Sequence, residues 1–165
     1  MIFLTVGTQL PFDRLTRAVD DWCVTSPETP VFGQIADPGP EGYRPRHFAW
    51  QAFVEPAEFD QRFEQADIVI AHAGMGSIIT ALTRAKPVLI MPRRADLREQ
   101  RNDHQLATAA QFEGRPGVHV ARDESEVGPM LDRVLATEGH GVAPGASPFA
   151  SPRLIEALRT FIHAQ

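Results

Sequence analysis

Apolar positions along the chain fall into short β-favouring runs separated by stretches with a helical period. Residues 1–6, Met1-Ile2-Phe3-Leu4-Thr5-Val6, form an unbroken run that stops at Gly7. The loop Gly7-Thr8-Gln9-Leu10-Pro11-Phe12 then leads to Asp13, a good helix N-cap, after which Leu15, Ala18, Val19, Trp22 and Cys23 share one helical face. Strands are predicted at 31–36 and at about 48–54, separated by a loop that holds Pro38, Gly39, Pro40, Gly42 and Pro45. Pro56 suits the first position of a helix bearing Phe59 and Phe63. Asp67-Ile68-Val69-Ile70-Ala71 reads as a strand, broken by the turn Gly74-Met75-Gly76-Ser77, with helix following to about Arg84. Residues 87–91 form another buried strand, and 102–112 a helix with Leu106, Ala109 and Ala110 inward. A strand at 118–121 precedes a capping box, Asp123 with Glu126, and a helix whose Val127, Met130, Leu131, Val134 and Leu135 align. Residues 137–148, rich in Gly, Ala and Pro, make a loose connection to a last helix from Ser151-Pro152 carrying Leu154, Ile155, Leu158, Phe161 and Ile162.

Strands that are apolar on both faces and alternate with helices predict a parallel sheet covered on each side, a doubly wound, Rossmann-like α/β domain. Ligands of such sheets bind where the carboxyl ends of strands meet helix N-termini. Three loops therefore matter most: 7–12, 72–77 and 92–105. The 165 residues fit one domain.

Composition narrows the function classes. At 43% hydrophobic and 22% charged, the chain has the make-up of an ordinary soluble globular protein. A net charge of −5 provides no global attraction for nucleic acid or an anionic membrane. Fifteen of the basic residues are Arg and only Lys86 is Lys, a bias that reads first as codon usage. The single cysteine, Cys23, excludes an internal disulfide, suits a reducing cytoplasm, and falls on the apolar face of its helix as a core thiol. No apolar run approaches the roughly 20 residues of a membrane span, and no basic leader precedes a long apolar stretch. Work on membrane lipids would require another component to hold the protein there.

The loop His72-Ala73-Gly74-Met75-Gly76-Ser77 joins a buried strand to a helix, so backbone N–H groups converge at a positive helix end. That arrangement suits a phosphate. It also fits a plain tight turn with Ser77 as N-cap. The third glycine of a dinucleotide fingerprint would fall at Ile79 and is absent, and no Gly-x-x-x-x-Gly-Lys-Ser/Thr is present, which excludes a P-loop. Gly7, Thr8 and Gln9 leave the first strand toward the same sheet edge. The third loop gathers Arg93, Arg94, Arg98 and Arg101, then Asn102, Asp103, His104 and Gln105 at a helix start. Those polar groups suit hydroxyl recognition. The arginines suit a diphosphate or a sugar carboxylate, and equally a solvated charged loop. No His-Glu-x-x-His, cysteine pair or Asp-x-Asp is present, so a site that works without metal is expected. His47, His119, His140 and His163 have no partner pattern.

Taken together, Val6-Gly7-Thr8-Gln9-Leu10-Pro11-Phe12-Asp13-Arg14-Leu15, His72-Ala73-Gly74-Met75-Gly76-Ser77-Ile78-Ile79, Lys86-Pro87, Met91-Pro92-Arg93-Arg94 and Asn102-Asp103-His104-Gln105 resemble the C-terminal, donor-binding domain of glycosyltransferase family 28. The likeness runs from Met1 to about Val134. It extends in particular to free-standing versions of that domain, the small catalytic subunits of the dolichol-linked N-acetylglucosaminyltransferase and of two-component bacterial exopolysaccharide transferases. Arg93-Arg94 with the Asn-Asp-His-Gln run looks like the bacterial group.

The resemblance implies one half of a two-lobed GT-B enzyme that binds a UDP-sugar and uses no further cofactor. By the same likeness Gly7, Thr8 and Gln9 match the first glycine-rich loop, Gly74, Met75, Gly76 and Ser77 the segment holding the diphosphate, and Asn102, Asp103, His104 and Gln105 the stretch touching the transferred sugar. Thr80 stands where full-length relatives carry a glutamate for the ribose. A membrane-anchored partner subunit is implied to supply the acceptor site, usually with the general base. This chain would then be the donor subunit of an inverting transferase acting on a lipid-linked acceptor, cytoplasmic and held at the inner face of the membrane. Two other classes fit parts of the pattern: an NADP-binding oxidoreductase domain with Arg93 or Arg94 on the 2′-phosphate, and a non-catalytic sugar-nucleotide sensor.

Overall fold

The computed structural model describes residues 1–138. Six strands, β1 (Ile2–Thr5), β2 (Val31–Gln34), β3 (Ala49–Gln51), β4 (Ile68–His72), β5 (Val88–Met91) and β6 (Val118–Val120), alternate with helices except between β2 and β3, which a loop joins. The helices are α1 (Asp13–Thr25), α2 (Pro56–Gln65), α3 (Met75–Thr83), α4 (His104–Phe112) and α5 (Glu124–Glu138). All neighbouring strands are parallel and lie in the order β3-β2-β1-β4-β5-β6. Ile2 faces Val31 on one side and Ile68 on the other, so β1 sits in the middle of the sheet. The expected doubly wound α/β architecture is thus the observed one.

Alternation along the strands sends successive side chains to opposite faces. Ile2, Leu4, Ile70, Leu89 and Met91 join Leu15, Val19 and Trp22 of α1 and Val127 and Leu131 of α5 in one core. Phe3, Val69, Ala71, Val88 and Ile90 join Phe63 of α2, Ile78 and Leu82 of α3, and Ala109 and Phe112 of α4 in the other. Phe3 anchors the second core through an edge-on contact with Phe59, ring centroids 5.2 Å apart.

Several local expectations change. Asp13 is the first residue of α1 rather than its cap, with Phe12 in the cap position. Its carboxylate instead accepts the Tyr43 N–H at 3.1 Å and so ties down the Pro/Gly-rich loop. The third strand contracts to Ala49–Gln51. On α4 the inward residues are Gln105, Ala109 and Phe112, whereas Leu106 is 39% exposed and Ala110 faces solvent. The capping box at α5 is displaced by one residue: Asp123 accepts the Ser125 N–H, and Glu126 accepts that of Arg122 rather than Asp123. Helix α5 runs to Glu138 and so includes Thr137, where a loose connection was expected. The remainder of that connection, the last helix, His140 and His163 lie outside the described residues.

Candidate functional site at the switch in strand order

The crossover after β1 carries α1 to one face, and that after β4 carries α3 to the other. Because β1 and β4 are neighbours, a crevice opens at their carboxyl ends, the place where open α/β sheets bind ligands. A cleft of about 310 Å³ lies there, lined by Gly7, Thr8, Gln9, Leu10, His72, Arg93, Gln100 and Gln105.

The glycines of both loops are explained by one side chain. Gly7 adopts φ +86°, a left-handed conformation that favours glycine. A Cβ on Gly7 would lie 3.1 Å from Cε1 of His72, and one on Gly74 would lie 2.2 Å from its Nε2. The imidazole of His72 is therefore wedged between the two loops. Its Nδ1 is buried and has no hydrogen-bond partner. Burial, reinforced by the positive charge of Arg93, pushes the imidazole down to about 4. At neutral pH the ring is uncharged.

Gly76 differs, because a Cβ there would meet nothing within 4 Å. It lies in the first turn of α3, whose first internal bond runs from Ile78 N–H to the Gly74 carbonyl. The N–H groups of Met75, Gly76 and Ser77 precede that bond and point out of the helix end. Ser77 is the third helical residue, so it does not cap the helix; Gly74 holds that position. Thr80 donates its hydroxyl to the Gly76 carbonyl at 2.8 Å, which engages it within the helix.

Arg93 is 3% exposed. Its guanidinium donates to the carbonyls of Val6, Leu10 and Pro11 at 3.0, 2.7 and 2.6 Å, and lies over the Phe12 ring at 4.5 Å. These bonds brace the first glycine loop from below. The expectation that Arg93 would fork onto a sugar carboxylate or a nucleotide phosphate is corrected, because backbone carbonyls already hold both terminal nitrogens. Arg94 pairs with Asp96 at 2.7 Å on the exposed side of its loop. It stands outside the cleft.

The loop after β5 is fixed from behind. Glu99 takes a bidentate contact from Arg14, 2.8 Å at both oxygens, and accepts the Arg94 N–H at 2.9 Å. Arg14 also reaches Glu124 at 2.8 Å, and the Glu99 contact leads in holding its guanidinium protonated. Of the four polar residues at the start of α4, Gln105 alone is buried and lines the cleft; its Oε1 accepts the Arg93 N–H at 3.1 Å. Asn102, Asp103 and His104 are exposed, and Asp103 accepts the Ala95 N–H at 2.9 Å. Behind the first loop, buried Gln34 donates to the Gly7 carbonyl at 3.4 Å and accepts the Val54 N–H at 3.0 Å.

The structure thus gathers Gly7, Thr8, Gln9, Gly74 and Gln105 around His72, with Gly76 beside them on α3, and leaves Arg94 outside. His72, Gln34, Arg14 and Glu99 were not singled out as site residues from the sequence. For His72 the signal was present: a polar residue ending a buried strand, one position before the glycine turn. Among the described residues no group of three or more His, Cys, Asp or Glu is placed to hold a metal ion, and no helix is long and apolar enough to cross a membrane.

An all-parallel sheet in this strand order, with glycine turns meeting at its switch point, defines a Rossmann-like domain with a ligand crevice. Within that class the model of the glycosyltransferase family 28 C-terminal domain matches residues 1–126, and the chain belongs to that family. It is 27% identical over 116 residues to a UDP-N-acetylglucosamine transferase subunit, ALG13, of Mus musculus, an alignment covering 67% of this chain and 10% of that protein. It is 40% identical over 87 residues to the ALG13 subunit of Cryptococcus neoformans, covering 47% of this chain and 42% of the relative. The chain therefore spans less than half the length of these curated relatives. Among solved structures, the fold is similar to that of ALG13 determined by NMR, at TM-score 0.59 and 18% identity over 95% of this chain and 93% of that one. It is also similar to MurG of Acinetobacter baumannii, at TM-score 0.58 and 18% identity, over 99% of this chain and 49% of that one.

Proposed function

We propose that the chain is the donor-binding subunit of a UDP-sugar-dependent glycosyltransferase. The observation that carries this is the crevice at the switch point, where the free N–H groups of α3 and the braced Gly7–Gln9 loop meet around His72. The N–H groups of Met75, Gly76 and Ser77 hold the donor diphosphate, and Gln105 with its neighbours Asn102, Asp103 and His104 reads the sugar. When the bond from the anomeric carbon to the phosphate oxygen breaks, its electron pair stays on that oxygen, and the helix-end amides receive the charge in place of a metal. The acceptor hydroxyl, seated in a site on a partner subunit, forms the new bond to the anomeric carbon and gives its proton to a base of that subunit, which also supplies the membrane anchor. The reaction inverts at the anomeric carbon, the acceptor is lipid-linked, and the complex works on the cytoplasmic side of the membrane in polysaccharide or glycoconjugate synthesis. Family membership and the relatives named as transferase subunits support this reading. The NADP alternative loses support for its phosphate clamp, since Arg93 is held by carbonyls and Arg94 pairs with Asp96 outside the cleft.

Calorimetric titration with UDP and NADP provides the test. UDP is expected to bind and NADP is not, and Gly76→Val is expected to abolish UDP binding in a folded protein, because the added side chain meets only ligand space. Undiminished UDP affinity in that variant discards the phosphate assignment. Transferase activity is expected only on co-expression with the partner, and turnover by the chain alone near the enzyme median of about 10 per second discards the subunit reading.

A further inference from the structure

The two loops at the switch point close on a ring that has a vacant nitrogen. His72 lies between Gly7 and Gly74 so tightly that neither position has room for a Cβ at ordinary contact distance. Its Nδ1 is buried without a partner in a protein whose other interior polar groups are largely bonded. The imidazole also lines the cleft next to Arg93.

The charges around this ring are few. On the β1 side it meets the Thr5 backbone, which favours the protonated ring, with Gly7, Thr8 and Gln9; on the β4 side Gly74 and the start of α3; on the β5 side Arg93 and, from α4, Gln105. Of these only Arg93 is ionised. The Glu99 carboxylate draws on Arg93 from beyond ion-pair distance but spends both oxygens on Arg14, so the charge beneath the crevice has no directly paired carboxylate. An entering diphosphate supplies the missing negative charge. It changes the sign of the field at His72 and offers its oxygens to a ring that, once protonated, has two N–H donors.

We propose that His72 takes up a proton when a nucleoside diphosphate enters the cleft, so that donor binding is coupled to protonation of this one side chain. This rests on the donor-site reading above and adds to it a residue, a charge state and a pH dependence. By itself the ring is neutral, since burial and then Arg93 outweigh the Thr5 backbone contact and push it down to about 4. The bound diphosphate opposes both effects and raises it. The sign follows from linkage: the bound state holds more protons than the free state between the two titration points, so affinity rises as pH falls through that window. The slope is at most about tenfold per pH unit for one proton.

The test is calorimetry of the full chain with UDP-N-acetylglucosamine and UDP-glucose, whose diphosphates keep both charges across the neutral range. Titrations near neutral pH in buffers of different ionisation enthalpy report net proton uptake directly, and repeating them from about pH 8 to about pH 5.5 gives the affinity slope. The expected result is uptake approaching one proton per donor bound and an affinity that climbs on acidification. In His72→Gln the affinity is expected to be flat over the same range. NMR of the His72 ring in the wild-type protein gives the answer without any variant, through a shift to the imidazolium signal on saturation with donor. Binding without proton uptake, or uptake undiminished in His72→Gln, overturns this inference and leaves the donor site standing. No binding of either UDP-sugar overturns both.

Discussion

Two ionised side chains lie almost wholly inside the described part of the molecule, Asp20 at 1% and Arg93 at 3% exposure, and their surroundings are opposite. Asp20, on α1, accepts the Tyr43 hydroxyl at 2.6 Å and the N–H groups of Arg46 and His47 at 3.0 and 2.8 Å, with the His47 ring 3.3 Å away. Burial alone would raise its carboxyl, but these bonds hold it below the usual carboxylate range. Tyr43 is in turn pushed up to about 12, by burial first and by Asp20 next. His47, which had no partner pattern in the sequence, belongs to this cluster. Arg93 has carbonyls but no carboxylate within ion-pair distance, and burial pushes it down to about 10 against the pull of Glu99. A buried charge with every lone pair answered fastens a loop to a helix. On the proposed reading, a buried charge with no carboxylate within ion-pair distance, beside a crevice and the His72 imidazole, is matched by a ligand that brings the opposite charge.

The contrast can be broken from either side. Asp20→Ala leaves the hydroxyl and two part-buried N–H groups without their acceptor and should cost about 2 kcal/mol of stability in urea melts, with UDP affinity unchanged where the protein is folded. Arg93→Met removes a cation that has no partner charge, so its stability loss should be smaller, about 1 kcal/mol, because carbonyls lose donors while the desolvation cost disappears. Its UDP affinity should fall at least tenfold, since the braced loop and the positive field vanish together. A stability loss equal to that of Asp20→Ala, with UDP binding intact, would move Arg93 into the fastening class. Arg94→Ala should shift neither the melting temperature nor the UDP titration, because its exposed contact with Asp96 is screened by water. A clear loss of UDP affinity there would return Arg94 to the site.

The parts of this molecule legible in the sequence are those decided by neighbours along the chain. Most strand runs, the inward faces of α1 and α5 and both glycine turns depend on period and on residues a few positions apart, and they fall where expected. Cys23 is likewise the buried thiol expected, pushed up to about 11 by burial. The fates of Arg93 and Arg94 were not legible. Both follow a buried strand, but one finds carbonyls more than 80 positions earlier and the other finds Asp96 two positions later. Helix α4 shows the same limit. Counting apolar residues favoured Leu106 and Ala110 as inward, whereas the N–H of Arg93 requires an acceptor below it and Gln105 turns in to provide one. Polar demand from a distant strand set the rotation of that helix.

The central place of β1 also governs how the chain assembles. The earliest of the six described strands is flanked on both sides, by β2 from residue 31 and by β4 from residue 68. During synthesis it gains its first neighbour early but keeps a bare edge of unpaired N–H and C=O groups until β4 has emerged. The two walls of the crevice come from either side of that late seam. The ligand cleft therefore takes shape only after β4, β5 and the start of α4 have emerged, and release of a shortened chain ending before β4 would expose the sheet's middle rather than its rim.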